Sequence, residues 1–582
     1  MVNTVLKKII KNKYWLLVLL VFGLVLLSRF LFLGADLPST HVEIEEKLVG
    51  YNPRNKVLLN HWALYSNWYQ PMIYGPIQGL LSFLSFRFLG VGLAQFRLPM
   101  ALGSFIGLIF FFLILLKQTN RTFALLGLVL YALNFEIIVW NRSALTENLY
   151  LLFMPLSLYF ISKENLKAEN IFFGVFFAAL NIVAKLDGYT FYLTMILFLF
   201  IWSLKTGSFA KKMKMIILGS VTAGVILLVL FAFFGAFKYV LPMYRFYFDT
   251  IVGQSSLLKE IIPTFQKFIL ILLSIDPYTI LVFLLSLPVL IINRKNLNKT
   301  DWFMIIFLSA TVITRLQIPT AYMYWKRVIF LFFPLYYVIS RALFFLWKQE
   351  ENSSKRLTSP KEFLLGLIIS SFYSLLLIFF YVNYLGKSIP RPYNFGGFTE
   401  SFHYSKNSFI YLFFIVLAAI VCLNWILLFG QSRRLKKVLA SLILCLVLVS
   451  LATNCLYIAK MFLPENIKYS YQENQKYTKL VSENEMIVSD EQGFRAFAYL
   501  SKNDFYFNHD GGPNPLPFRE VFERKDLRYF ILNVEEFWRE HWGFPNKVRL
   551  ELIKETYPDL KLMGVFFASK VPLAIYDKYG GK

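Results

Sequence analysis

The sequence predicts a polytopic α-helical membrane protein of about thirteen transmembrane helices, followed by a small C-terminal α/β domain. Three observations predict it. Of 582 residues, 57% are hydrophobic and only 16% charged, with mean hydropathy +0.55, whereas a soluble chain carries nearer ~25% charge. Apolar runs long enough to cross a bilayer, ~20 residues each, recur along most of the chain. The basic residues fall on alternate connectors between those runs, as topology demands. The balance of 60 Lys+Arg against 35 Asp+Glu gives +25. In a chain this apolar it reads as membrane topology rather than nucleic-acid binding. Composition also excludes a disordered chain and a disulfide scaffold. Cys422, Cys445 and Cys455 lie in or beside apolar runs without a CxxC spacing, so no zinc or disulfide framework is indicated.

The expected spans are 14–34, 97–116, 122–141, 147–162, 169–186, 189–204, 215–236, 276–293, 302–316, 327–347, 362–385, 407–430 and 438–460. The first follows Lys7, Lys8, Lys11 and Lys13. It is longer than a signal-peptide core and shows no small-residue cleavage site, so it is read as a retained span. With the N-terminus cytoplasmic, every second connector should be short and basic. Those seven segments carry 23 basic residues, among them Lys117, Arg121, Lys163, Lys167, Lys211, Lys212, Arg294, Lys295 and Lys299. An odd number of spans then places the C-terminus outside the cell.

Residues 1–460 form the expected membrane domain and 461–582 the soluble extracytoplasmic one. The tail holds 17 basic and 18 acidic residues, so the whole positive excess belongs to residues 1–460. Met486–Val488, Tyr529–Leu532 and Val565–Phe567 read as short strands, and the stretches near 491–501 and 546–557 as helices. The Asp510-Gly511-Gly512-Pro513 run reads as a turn. Of the outer connectors, 35–96 and 237–275 are long. Segment 71–95 is apolar but broken by Pro71, Gly75, Pro76 and Gly79, which suits a helix lying in the interface.

Four clusters carry possible chemistry, and the expected topology sets all four on the outer face. The first outer loop holds Glu43, Glu45 and Glu46. A partly desolvated carboxylate there can serve as a general base; a solvated acidic helix face explains the same residues. The tight connector Asn141-Arg142-Ser143-Ala144-Leu145-Thr146-Glu147 also has two readings. Ser143 would be a helix N-cap and Glu147 a first-turn acid, or Arg142 and Glu147 line a polar cavity. Lys185 and Asp187 end the fifth span, where ionisable groups face a cavity, a partner or the interface. Tyr322, Tyr324, Trp325, Lys326 and Arg327 begin the tenth, with Arg315 before them. Paired cations beside aromatic rings anchor a helix or hold a lipid phosphate.

The order of these features resembles the GT-C membrane glycosyltransferases, in particular the protein-mannosyltransferase-like family 39 and the aminoarabinose-transferase-like relatives. The resemblance covers roughly residues 14–340 and rests on Glu45-Glu46, Phe88-Leu89-Gly90-Val91-Gly92, Arg97-Leu98-Pro99, Asn141-Arg142 through Glu147, Ala184-Lys185, and Lys326-Arg327 with Pro334. It implies a GT-C-like fold and an inverting transfer of sugar from a polyprenyl-phosphate donor to a protein, lipid or glycan acceptor. Glu45, with Glu46, would supply the base, replacing the family's Asp-Glu pair; Glu43 is the alternative in a shifted register. Arg142 and Glu147 would line the pocket, and Lys185, Lys326 and Arg327 would neutralise the leaving phosphate. Some relatives use a divalent metal; no carboxylate/His cluster in this sequence supports one, and no nucleotide loop is present or needed. Two rivals stand beside this reading: a lipid or glycan transporter, for which no internal repeat is visible, and a scaffold whose tail binds a partner.

Overall fold

The structure is a computed structural model. It describes residues 13–35, 76–90, 92–163, 166–184, 188–205, 209–233, 276–316, 331–351, 360–380 and 433–464, with shorter stretches of the remainder, chiefly 479–482, 485–489, 504–507, 527–533, 553–568 and 571–579. The helices among these residues are α1 (Lys13–Phe30), α2 (Pro76–Leu89), α3 (Leu93–Gln118), α4 (Arg121–Ala132), α5 (Phe135–Arg142), α6 (Glu147–Ile161), α7 (Ala168–Ala184), α8 (Tyr189–Lys205), α9 (Phe209–Phe233), α10 (Pro277–Ile292), α11 (Lys299–Leu316), α12 (Phe332–Glu351), α13 (Pro360–Phe380) and α14 (Arg433–Met461).

A helix occupies twelve of the thirteen expected span positions; the remaining one, 407–430, lies outside the described residues. Among the described residues, α1, α3, α9 and the 437–461 part of α14 are each long and apolar enough to cross a bilayer, and the α4–α5 pair adds a fifth if it counts as one span. Several others are shorter apolar helices. The protein is a multi-pass integral membrane protein. The outward sides of α1 and α9 show the lipid-facing surface directly. Leu20 and Leu27 on α1, and Ile217, Val221 and Val229 on α9, are more than half exposed. Such surface is tolerable only against hydrocarbon.

Inside the bundle, small residues let helices approach closely, as lipid-embedded packing requires. A Cβ on Gly107 of α3 would collide with the Leu151 carbonyl of α6, and one on Gly366 of α13 would press on the α14 backbone at Ser441 and Leu442. Phe111, Tyr131, Phe333 and Tyr336 then fill the space between α3, α4 and α12 with ring contacts of 4.9–5.6 Å between centroids.

Sequence 122–141 reads as one span but folds as two helices bent by 63°. The break falls at Leu133–Asn134, where the Asn134 side chain accepts from the Ile137 amide at 3.0 Å and starts α5 as its N-cap. Helix α2 begins at Pro76, whose fixed φ suits a first helical position. Its 14 residues reach only ~21 Å, too short to cross.

Within 461–582 the described residues form a five-stranded mixed sheet. Its strands are β1 (Met486–Ser489), β2 (Asp504–Phe507), β3 (Leu527–Asn533), β4 (Lys561–Ala568) and β5 (Val571–Asp577), in spatial order β2-β1-β3-β5-β4. β1 pairs in parallel with β2 and β3, while β3–β5 and β5–β4 are antiparallel. The central strand β3 buries Leu527, Tyr529, Phe530 and Ile531. The three expected strands are β1, β3 and β4; β2 and β5 were not foreseen. The expected helix near 491–501 lies outside the described residues, and of 546–557 the part 553–556 is helical.

Candidate functional site

The candidate site is rooted in the way the end of α1 is held. The last carbonyls of any helix lack intrahelical donors and must find others when buried. Here the donors are guanidinium groups from distant helices. Arg142, the last residue of α5, donates from Nη1 to the Ser28 carbonyl and from Nη2 to the Phe32 carbonyl, each at 2.9 Å. Arg97, on the second turn of α3, donates from Nη1 to the Leu33 and Ala35 carbonyls at 3.1 and 2.6 Å. Cations at a helix C-terminus are favoured by its dipole as well. Between these anchors Phe32 adopts a left-handed backbone, φ 53°, which turns the chain out of the helix.

A third arginine ties the same helix end to α5. Arg29 is fully buried and donates to the Asn141 Oδ1 at 3.2 Å, the Ser28 hydroxyl at 2.8 Å and the Ala132 carbonyl at 2.7 Å. Asn141 passes the network on to Asn148 at 3.3 Å, and Asn148 donates to the Trp140 and Ser143 carbonyls, both at 2.7 Å. Gln78 of α2 closes the ring by donating to the Ala144 carbonyl at 2.6 Å. Phe462, just past α14, lies 5.4 Å from the Arg142 guanidinium and 6.4 Å from the Phe32 ring. Thus α1, α2, α3, the α5–α6 turn and the end of α14 meet at one place.

Arg142 and Glu147, singled out in the sequence, both belong to this place and are buried. Arg142 contacts the α1 carbonyls and the Phe462 ring, so it anchors the start of the segment that follows α1. Glu147 opens α6, and its Oε2 accepts from the Thr146 hydroxyl at 3.2 Å. Ser143 does not cap α6: its hydroxyl turns back to the Val139 carbonyl at 2.9 Å and it closes α5 instead. Arg315 is buried in the last turn of α11. Glu43, Glu45, Glu46, Lys185, Asp187, Lys326 and Arg327 lie outside the described residues.

A second polar cluster went unnoticed in the sequence. Asp276 caps α10 by accepting from the Thr279 amide at 2.9 Å, and its other oxygen accepts from the Thr279 hydroxyl at 2.7 Å. That oxygen also takes Asn134 at 3.1 Å, Ser450 at 3.0 Å and Asn454 at 3.3 Å. Asn454 in turn accepts from the Phe135 amide at 2.8 Å. The carboxylate is 3% exposed, and five hydrogen bonds and a helix N-terminus support it. Its work is to hold the α4–α5 bend against α10 and α14. The available signals were Asp before Pro277, an N-cap pattern, and Arg29 as an ionisable residue within a span. Among the described residues, no three or more His, Cys, Asp or Glu side chains converge where a metal ion could sit.

No protein-family model matches the chain, and no curated protein matches its sequence. Solved structures do match it. ArnT from Cupriavidus metallidurans in the apo state aligns with a TM-score of 0.55 at 11% identity, over 97% of this chain and 98% of that one. The same ArnT bound to undecaprenyl phosphate aligns at 0.54 and 11% identity, over 96% and 98%. The archaeal oligosaccharyltransferase AglB from Archaeoglobus fulgidus, in complex with an inhibitory peptide and a dolichol-phosphate, aligns at 0.44 and 11% identity, over 90% and 70%. The two ArnT alignments run nearly end to end in both chains, so the chain shares the fold of ArnT.

Proposed function

We propose that this protein is an inverting glycosyltransferase. It moves a sugar from a polyprenyl-phosphate-linked donor to an acceptor hydroxyl on the extracytoplasmic face, with the N-terminus in the cytoplasm and the 461–582 domain outside. The observation that carries this reading is the end-to-end likeness to ArnT, one structure of which holds undecaprenyl phosphate. That likeness does not favour a transporter.

The chemistry follows from the residue types. Glu45, with Glu46 beside it, takes the proton of the acceptor hydroxyl. The oxygen attacks the anomeric carbon from the side opposite the phosphate, and the carbon–phosphate-oxygen bond breaks. Its electron pair leaves on the lipid phosphate, whose added charge is met by Lys185, Lys326 and Arg327. A single displacement inverts the anomeric centre. Arg142 and Glu147 shape the pocket, and the three arginines at the end of α1 fix where the first outer loop departs. Ala35, the last residue they hold, precedes Glu45 by ten positions. The acceptor is a protein, lipid or glycan hydroxyl.

The test is to incubate the purified protein with labelled polyprenyl-phosphate sugars and membrane extract, then identify the labelled product. Wild-type protein should label an acceptor and release polyprenyl phosphate. Glu45→Gln should abolish transfer while leaving a folded membrane protein. Sugar-lipid flux without transfer, or unchanged turnover in the Gln variant, would overturn the proposal.

A further inference from the structure

Far from the arginine cluster, four lysines from four separate elements converge on two aromatic rings. Arg97 and Lys117 lie on the same helix, α3, with 20 residues between their numbers, or ~30 Å along the axis. At that distant end, the Lys117 ammonium sits 3.8 Å from the centroid of the Tyr159 ring, and Lys163 lies 5.9 Å from the same ring and 5.2 Å from Phe160. Trp202 of α8 takes Lys212 of α9 at 4.6 Å and Lys299 of α11 at 5.5 Å. Lys299 links the two pairs by donating to the Lys163 carbonyl, and Lys163 donates to the Asn170 side chain at 2.9 Å.

Topology alone does not call for this convergence. Positive residues set orientation by lying on one side of the membrane, and they can do so spread apart, where repulsion is least. Here Lys163 and Lys299 are close enough to Lys117 to repel it, and Lys212 is only 8% exposed. Beside the lysines, α8 and α9 present lipid-facing side chains, with Leu197, Leu204 and Ile217 each more than half exposed.

We propose that Lys117, Lys163, Lys212 and Lys299 form a binding site for the phosphate group of an anionic membrane lipid, in the leaflet opposite the cluster of Arg29, Arg97 and Arg142. The ammoniums surround the phosphate, Tyr159 and Trp202 hold them in place through cation–π contacts, and the acyl chains lie along α8 and α9. The site is separate from the sugar-donor site and does not depend on the glycosyltransferase reading.

The experiment is a titration of the full-length protein in a nonionic detergent with a fluorescent phosphatidylglycerol, matched against a fluorescent phosphatidylcholine. Phosphatidylglycerol should bind saturably and more tightly. The triple variant K117Q/K163Q/K299Q should weaken it by about tenfold or more, given the worth of each basic residue toward anionic lipid. K117R/K163R/K299R should retain it, as should R294Q/K295Q, which removes exposed charge at the same end of the bundle. Lys117→Gln alone, at an exposed position, should give a partial loss if the triple variant fails to fold. Inorganic phosphate separates the sources: displacement shows that a free phosphate anion also fills the site, and its failure to displace shows that the lipid phosphate alone does. Phosphatidylglycerol binding unchanged in K117Q/K163Q/K299Q, or weakened as much in R294Q/K295Q, would overturn the assignment.

Discussion

The Arg142 guanidinium holds the Phe32 carbonyl at 2.9 Å, although 110 residues separate them in sequence. The same group holds Ser28 one turn earlier, so one side chain closes both the end of α1 and the end of α5. Removing it strands the buried Ser28 carbonyl and the partly buried Phe32 carbonyl, the buried one costing about 1–3 kcal/mol. Arg142→Ala should therefore destabilise the protein by about 3 kcal/mol, seen as a clear fall in melting temperature in detergent. It should also cut transfer activity by tenfold or more, roughly, because the loop root shifts. Arg142→Lys, which lacks the planar fork, should fall between. A melting temperature equal to wild type in the Ala variant would deny the anchoring role.

Asp276 offers a sharper contrast between shape and charge. Asn is nearly isosteric with Asp, but its amide nitrogen must replace one of two accepting oxygens, one of which takes the Thr279 amide and the other the Thr279 hydroxyl, Asn134, Ser450 and Asn454. Asp276→Asn is thus expected to cost about as much as Asp276→Ala, on the order of 2–4 kcal/mol. Chemical denaturation of both variants in micelles decides it. A mild Asn variant beside a severe Ala variant would mean that volume, not hydrogen bonding, is what the site requires.

At the other end of the bundle, Arg341 of α12 grips Asp301 of α11 through two bonds of 2.7 Å, and the Tyr337 hydroxyl adds a third at 2.6 Å. Both charges are almost fully buried. Breaking such a pair from one side leaves a lone buried charge, which costs about 3–5 kcal/mol. Asp301→Asn and Arg341→Met should each show that loss, and the double variant should be less destabilised than the sum of the two. Additive losses in a double-mutant cycle would show that the two side chains do not act as a pair.

Much of the helical layout was readable from the sequence, because a bilayer demands long apolar runs and the runs are there. Even the α2 segment declared itself by Pro71, Gly75 and Pro76, which break a spanning helix. The α4–α5 bend was missed because 122–141 is largely apolar, and Asn134 with the nearby Glu136 is a small polar signal within it. Strand β5 was missed because Pro572 interrupts its pattern, and β2 because four residues make too little pattern to weigh. Within the candidate site, Arg142 and Glu147 were visible as charges beside a tight turn. Their partners were not. The bonds of Arg29 to Asn141 and of Asp276 to Asn134 span 112 and 142 residues, and no local periodicity encodes a contact of that range. Ser143 illustrates the same limit on a small scale: its hydroxyl serves either neighbouring helix equally well by sequence, and only the fold chooses α5.

The guanidinium anchors also set a mechanical boundary. Because Arg97 and Arg142 grip carbonyls as far along as Ala35, the start of the segment after α1 moves only if α1, α3 and α5 move with it. Under the proposed mechanism, a rearrangement that brings Glu45 and Glu46 toward a bound sugar would hinge downstream of Ala35 and leave α1, α3 and α5 in place.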